Sequence, residues 1–144
     1  MRVIAVDPGD KHVGVAVWSD TGDREAYTVS SPEAVDHVRH LLEVGDEGEV
    51  VLVIEEFRLY PGKDKPQAYS QMETSEMIGA LKYVARRVGV EVVEQGAYIK
   101  TPTRKQLQAR GIVHTGDTVH AKDAELHLIH YCLKEGKWKS RELL

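Results

Sequence analysis

Val3-Ile4-Ala5-Val6-Asp7-Pro8-Gly9-Asp10-Lys11-His12-Val13-Gly14-Val15-Ala16-Val17 is the stretch whose reading decides the fold. An aliphatic run is halted by Asp7-Pro8-Gly9, and Val13, Val15 and Val17 then alternate with smaller residues. That pattern predicts two strands of a hairpin. A polar turn around Asp20 to Asp23 leads to a third strand, Glu25 to Val29, giving an antiparallel meander.

Working outward, Ser31-Pro32-Glu33 predicts a helix entry, with Ser31 as cap and Pro32 at the first helical position. Val35, Val38, Leu41 and Leu42 make one apolar face, and Gly45 closes the helix. Val50 to Ile54 is all aliphatic, as a strand covered on both faces requires, and ends at Glu55-Glu56. Residues 58–71, with Pro61, Gly62 and Pro66, predict a loop or lid. Met77, Ile78, Leu81, Val84, Ala85 and Val88 predict a helix that Gly89 ends, followed by a strand at Val90 to Glu94. A short basic helix from Thr103 to Arg110 follows Pro102, and Gly116-Asp117-Thr118 starts a last helix with the stripe Ala121, Ala124, Leu128 and Cys132. The order implies an α/β fold of the ribonuclease H-like kind: a five-stranded mixed sheet, three strands antiparallel and two added by crossovers, flanked by helices.

At 144 residues, 42% apolar and 29% charged, the chain suits one domain spanning 1–144 with a single core, its tail after Gly136 frayed. No repeat suggests a solenoid and no run approaches the ~20 apolar residues of a membrane span, so the expectation is a soluble, cytoplasmic protein. The single cysteine, Cys132, excludes an intrachain disulfide, and no paired Cys/His spacing suggests zinc.

The net charge of −4 is unevenly spread. Residues 1–57 hold 4 Lys/Arg against 13 Asp/Glu, whereas residues 58–110 hold 10 against 5. A basic middle segment inside an acidic protein is compatible with a phosphate-binding face, because a polyanion responds to local field.

Asp7 and Glu55 each end an aliphatic strand, and two acids at neighbouring strand ends repel unless a cation or proton intervenes. His120 and Asp123, at i and i+3, share a face near the start of the last helix. Oxygen ligands without thiols suit Mg²⁺ or Mn²⁺, and two such ions ~4 Å apart suit hydrolysis of a phosphodiester. His120 suits either a ligand or a base. Glu56 competes with Glu55, but strand alternation admits one of them and Glu55 is favoured; Glu125, at i+5 from His120, turns away. His127 and His130 read as packed or solvated, and His12 and His114 as loop residues without an assigned partner.

Asp7-Pro8-Gly9 with Val13-Gly14-Val15-Ala16, Ile54-Glu55-Glu56-Phe57, Ile78-Gly79-Ala80-Leu81 and His120-Ala121-Lys122-Asp123-Ala124 resemble, in order and spacing, the RuvC family of Holliday junction resolvases. The resemblance implies a metal-dependent endodeoxyribonuclease acting on four-way and other branched DNA as a homodimer, with Mg²⁺, or Mn²⁺ in its place, at two ions per site. It implies metal-centred catalytic positions at Asp7, Glu55, His120 and Asp123, His120 standing where other members carry Asp. DNA contacts are implied at Phe57, Arg58, Tyr60, Lys63 and Lys65, aromatics interleaved with cations, and a phosphate track at Arg86, Arg87, Lys100, Arg104, Lys105 and Arg110. Phe57 is equally suited to the core. Two rivals share the fold: a YqgF-like RNA nuclease, whose characteristic segment is replaced by Glu94-Gln95-Gly96-Ala97, and a catalytically inactive junction-binding protein. An actin-like ATPase needs two lobes, which 144 residues do not supply.

Overall fold

The computed structural model describes residues 1–9, 11–44, 48–57 and 65–137, with residues 65–71 described by their backbone alone. Three antiparallel strands come first, β1 (Arg2–Asp7), β2 (His12–Ser19) and β3 (Arg24–Ser30). Two crossovers then add β4 (Val50–Glu55) parallel to β1 and β5 (Glu91–Gln95) parallel to β4. The resulting mixed sheet has the order β3-β2-β1-β4-β5, the α/β arrangement expected of a ribonuclease H-like chain.

The central strands are aliphatic because both of their faces are covered. On one face Ile4, Val6, Val13, Val15, Leu52 and Ile54 pack against α1 (Ser31–Glu43) and α2 (Lys65–Val88). On the other face Val3, Ala5, Ala16, Val51 and Val53 meet α4 (Val119–Lys134) and Leu107 of α3 (Lys100–Ala109). This two-residue alternation fixes which strand-end side chains reach α4: the odd positions of β1 and β4, and the even positions of β2.

Several boundaries differ from the expectation. Ser30, not Ser31, caps α1 and makes no side-chain cap bond; the Ser31 hydroxyl instead donates to the Gly9 carbonyl at 3.2 Å, tying the helix start to the turn after β1. That helix ends with Val44 at its C-cap, and Gly45 lies outside the described residues. The loop expected over 58–71 gives way to helix from Lys65, where Pro66 fits the first turn because no N–H is needed there; residues 58–64 lie outside the described residues. Helix α3 begins at Lys100, directly after a 3-10 turn at Ala97–Ile99, so Pro102 lies within its first turn rather than ahead of it. Gly89 ends α2 with φ at +76°, a conformation open to glycine without strain. The tail beyond residue 137 is outside the described residues. Among the described residues no helix is long and apolar enough to cross a membrane.

Candidate active site

Asp7 is the last residue of β1 and Glu55 the last of β4, and the alternation places both on the α4 side of the sheet at the carboxyl ends of adjacent parallel strands. Gly14 is the register partner of Asp7 on β2 and leaves room there for the start of α4. Thr118 caps α4, its hydroxyl accepting from the Ala121 N–H at 3.1 Å, and so fixes the first helical turn that carries His120. His120 Nδ1 lies 3.0 Å from Asp7 Oδ2, joining residues that stand 113 positions apart.

Asp123 follows one turn deeper. Lys100, the first residue of α3, extends its ammonium between two acids, 3.4 Å from Glu55 Oε1 and 3.3 Å from Asp123 Oδ2. Arg104, one turn along α3, approaches Asp123 Oδ1 at 3.9 Å. His127, read from the sequence as packed or solvated, is fully buried and belongs to the site: its Nε2 is 3.2 Å from Glu55 Oε2 and its Nδ1 2.9 Å from Gln95 Oε1.

The electrostatics are those of crowded carboxylates. Burial pushes the Asp7 carboxyl up to about 9, helped by its hydrogen bond with Glu55 and by the Glu55 and Asp123 charges, with Lys100 opposing. For Glu55, burial alone would raise the value, but hydrogen bonds from His127 and Asp7 and the Lys100 charge outweigh it and bring it down to about 2. Burial likewise lowers the Lys100 ammonium, and the charges of Glu55, Asp123 and Asp7 more than reverse this. One acid of the pair thus keeps a proton that it donates to the other.

Among the described residues no three His, Cys, Asp or Glu side chains close around one point as they stand. Asp7 and Glu55 share a hydrogen bond, and the Lys100 ammonium lies between Glu55 and Asp123. The donor chemistry nevertheless fits a hard divalent cation: three carboxylates and one imidazole, no thiol, and a charge repulsion that already retains a proton and draws in a lysine.

The residues expected to meet DNA are scattered. Phe57 is half-buried against the α1–α2 side of the core. Arg58, Tyr60 and Lys63 lie outside the described residues, and Lys65 heads α2. Arg86 and Arg87 are exposed in the last turn of α2, on the sheet face away from α4, whereas Arg104 and Lys105 are exposed on α3 and Arg110 at its C-cap, Arg104 alone of these reaching an acid of the site. Glu56 is exposed at the strand end. Glu125 is fully buried away from the cluster, where Arg24, His114 and Thr115 hold its carboxylate.

Two residues of the site escaped the sequence reading. His127 carried a signal, its i+4 spacing from Asp123, which puts both on one helix face. Gln95 carried none, because its importance comes from pairing with Glu55 across β4 and β5.

No family model matches the chain, and no curated protein matches it either. Solved structures do. Thermus thermophilus RuvC in complex with a Holliday junction superposes with a TM-score of 0.58 at 18% identity, covering 94% of this chain and 96% of that one. A further Thermus thermophilus RuvC structure gives 0.55, again at 18% identity, over 94% and 97% of the two chains. The fold is that of RuvC. At this identity the likeness extends to the whole RuvC architecture, sheet and flanking helices, and what this chain does with that fold rests on its own residues.

Proposed function

We propose that the chain is a divalent-metal-dependent, structure-selective endonuclease that resolves four-way DNA junctions by phosphodiester hydrolysis. The observation that carries the reading is the gathering of Asp7, Glu55 and Asp123, with His120, at the carboxyl ends of β1 and β4 on a RuvC fold. The solved structure with that fold bound to a Holliday junction supports the same substrate class here.

Asp7, Glu55, Asp123 and His120 would hold Mg²⁺, or Mn²⁺ in its place, at two ions per site. Bound there, such ions supply an activated water and charge stabilisation at the leaving oxygen. The rest falls to the protein's own groups. Asp7 engages His120 Nδ1, so Nε2 of this 43% exposed ring is the one nitrogen left, and it would serve either as a ligand to an ion or as the base that takes a proton from the attacking water. Lys100, between Glu55 and Asp123, balances the charge of these acids until a cation takes that place, and its ammonium would then be free to meet a phosphate of the junction. Arg104 and Lys105 on α3, with Arg110 at its C-cap, would bind phosphates of the junction, and Phe57, Arg58, Tyr60, Lys63 and Lys65 are the residues that would meet its bases and neighbouring phosphates. Two symmetric nicks in a two-fold junction need two equivalent sites, which a homodimer provides.

The test is nicking of a synthetic four-way junction in Mg²⁺ by the wild type and by Asp7→Asn and Glu55→Gln. Both variants should bind the junction and fail to cut it. Undiminished cleavage by either would remove the reading. Binding by the wild type without cleavage under any divalent ion would make it a junction-binding protein instead.

A further inference from the structure

We propose that His127 is a positioning residue for Glu55, steadied in turn by Gln95, so that this chain orients its central carboxylate from inside α4. The inference rests on the nuclease reading above and adds a residue that the reading does not require.

Burying a polar side chain is unfavourable unless its polar atoms are bonded. His127 is 0% exposed between the buried residues Leu126 and Leu128, in a helix where an aliphatic residue would fill the same space. Both of its ring nitrogens are engaged, and both partners belong to the strand ends that build the site. Glu55 and Gln95 are register partners on parallel β4 and β5, so their side chains emerge together on the α4 side. Asp123 stands i and His127 i+4 on α4, which sets the imidazole one turn below the acid cluster and directly over that strand pair.

The consequence falls on the two Glu55 oxygens. Oε2 is taken by His127 at 3.2 Å, and Oε1 faces Lys100 at 3.4 Å. A carboxylate only accepts hydrogen bonds, so Nε2 of the neutral ring carries its one hydrogen and donates to Glu55, which leaves Nδ1 as an acceptor that the Gln95 amide nitrogen satisfies with the amide turned to face it. The ring thus holds one oxygen still, and the other faces the Lys100 ammonium that also meets Asp123. Hydrogen bonds from a second layer of residues to a ligating carboxylate typically matter 10–100-fold in metal affinity.

The experiment measures Mn²⁺ binding to the full chain by calorimetry for the wild type, His127→Leu, His127→Gln and Gln95→Leu, with folding followed by circular dichroism and junction binding measured in Ca²⁺. His127→Leu should weaken Mn²⁺ binding about 10–100-fold. Its junction affinity should not change, and nicking should recover as Mn²⁺ is raised. His127→Gln, which keeps an N–H donor, should regain most of the affinity. Wild-type Mn²⁺ affinity in a folded His127→Leu protein overturns the inference, as does a loss that His127→Gln fails to restore; in both cases a wild type that binds Mn²⁺ and nicks junctions leaves the nuclease reading intact. Should His127→Leu not fold, Gln95→Leu decides: several-fold weaker Mn²⁺ binding is expected, and wild-type affinity overturns the inference. A wild type that neither binds Mn²⁺ nor nicks removes the nuclease reading and this inference with it.

Discussion

Gly14 and His120 are packed backbone to backbone: a Cβ on Gly14 would collide with the carbonyl carbon and oxygen of His120 and stand 3.0 Å from the Ala121 nitrogen. Gly14 is also the register partner of Asp7, so the missing side chain is what lets the first turn of α4 descend onto the strand end and bring His120 Nδ1 within 3.0 Å of Asp7.

Gly14→Ala should therefore damage the site before it damages the sheet. The clash is with main chain, which cannot rotate aside, so a destabilisation of about 3 kcal/mol is expected from overpacking. Urea denaturation reads that loss, and junction nicking should fall with it as His120 is lifted from Asp7. An Ala variant with wild-type stability and nicking would show that α4 is not seated against β2.

The crowded acids predict a pH slope in the metal-free protein. Folded Asp7 titrates at about 9 against an unfolded value of 3.8, so the native chain takes up a proton on folding across that window, and stability falls as pH rises through it. Glu55 runs the other way, its contribution being lost as pH falls from 4.5 towards 2. Asp7→Asn keeps the shape and deletes the charge. In EDTA at pH 8 it should melt a few degrees above the wild type, and its melting temperature should vary less between pH 5 and 9. Parallel pH profiles for the two proteins would contradict the Asp7 assignment.

Lys100 supplies the one ammonium among the described residues that lies within 4 Å of two of these acids. Because the pairs are partly exposed, Lys100→Met should cost about 1–2 kcal/mol rather than the larger penalty of a buried ion pair. The loss should be clearest in EDTA, and millimolar Mg²⁺ should raise the melting temperature of the variant more than that of the wild type. Equal Mg²⁺ shifts would mean that the lysine and the cation do not share a site.

Glu125 tests the scaffold rather than the chemistry. Its carboxylate has no exposure and is met by Arg24 Nε at 3.1 Å, His114 Nδ1 at 2.9 Å and the Thr115 N–H at 3.0 Å, tying the segment before α4 to the helix and to β3. Glu125→Ala leaves Arg24 without its carboxylate and should lose about 3–5 kcal/mol. Glu125→Gln should lose less, because an amide oxygen still accepts. A urea midpoint close to wild type for the alanine variant would show that this network contributes little.

The sequence by itself determined the sheet. Val3–Val6 and Val50–Ile54 have no polar face, so they belong at the centre, and the alternation through Val13–Val17 makes β2 their antiparallel neighbour. It also set the candidates apart: an acid ending each central strand, and His120 with Asp123 one helical turn apart. These are local signals, carried by period and punctuation within a few residues. Tertiary structure alone decided the company that those acids keep. Lys100 reads locally as one more cation in a basic helix, and only the seating of α3 beside α4 turns it between Glu55 and Asp123. His127 reads as one more residue of a buried helix, and only the β4–β5 register places Glu55 and Gln95 together beneath it. Such partners are tens of residues distant in the chain. Their meeting is set by how two helices dock on an open five-stranded sheet, a matter of packing and register that no local stretch encodes.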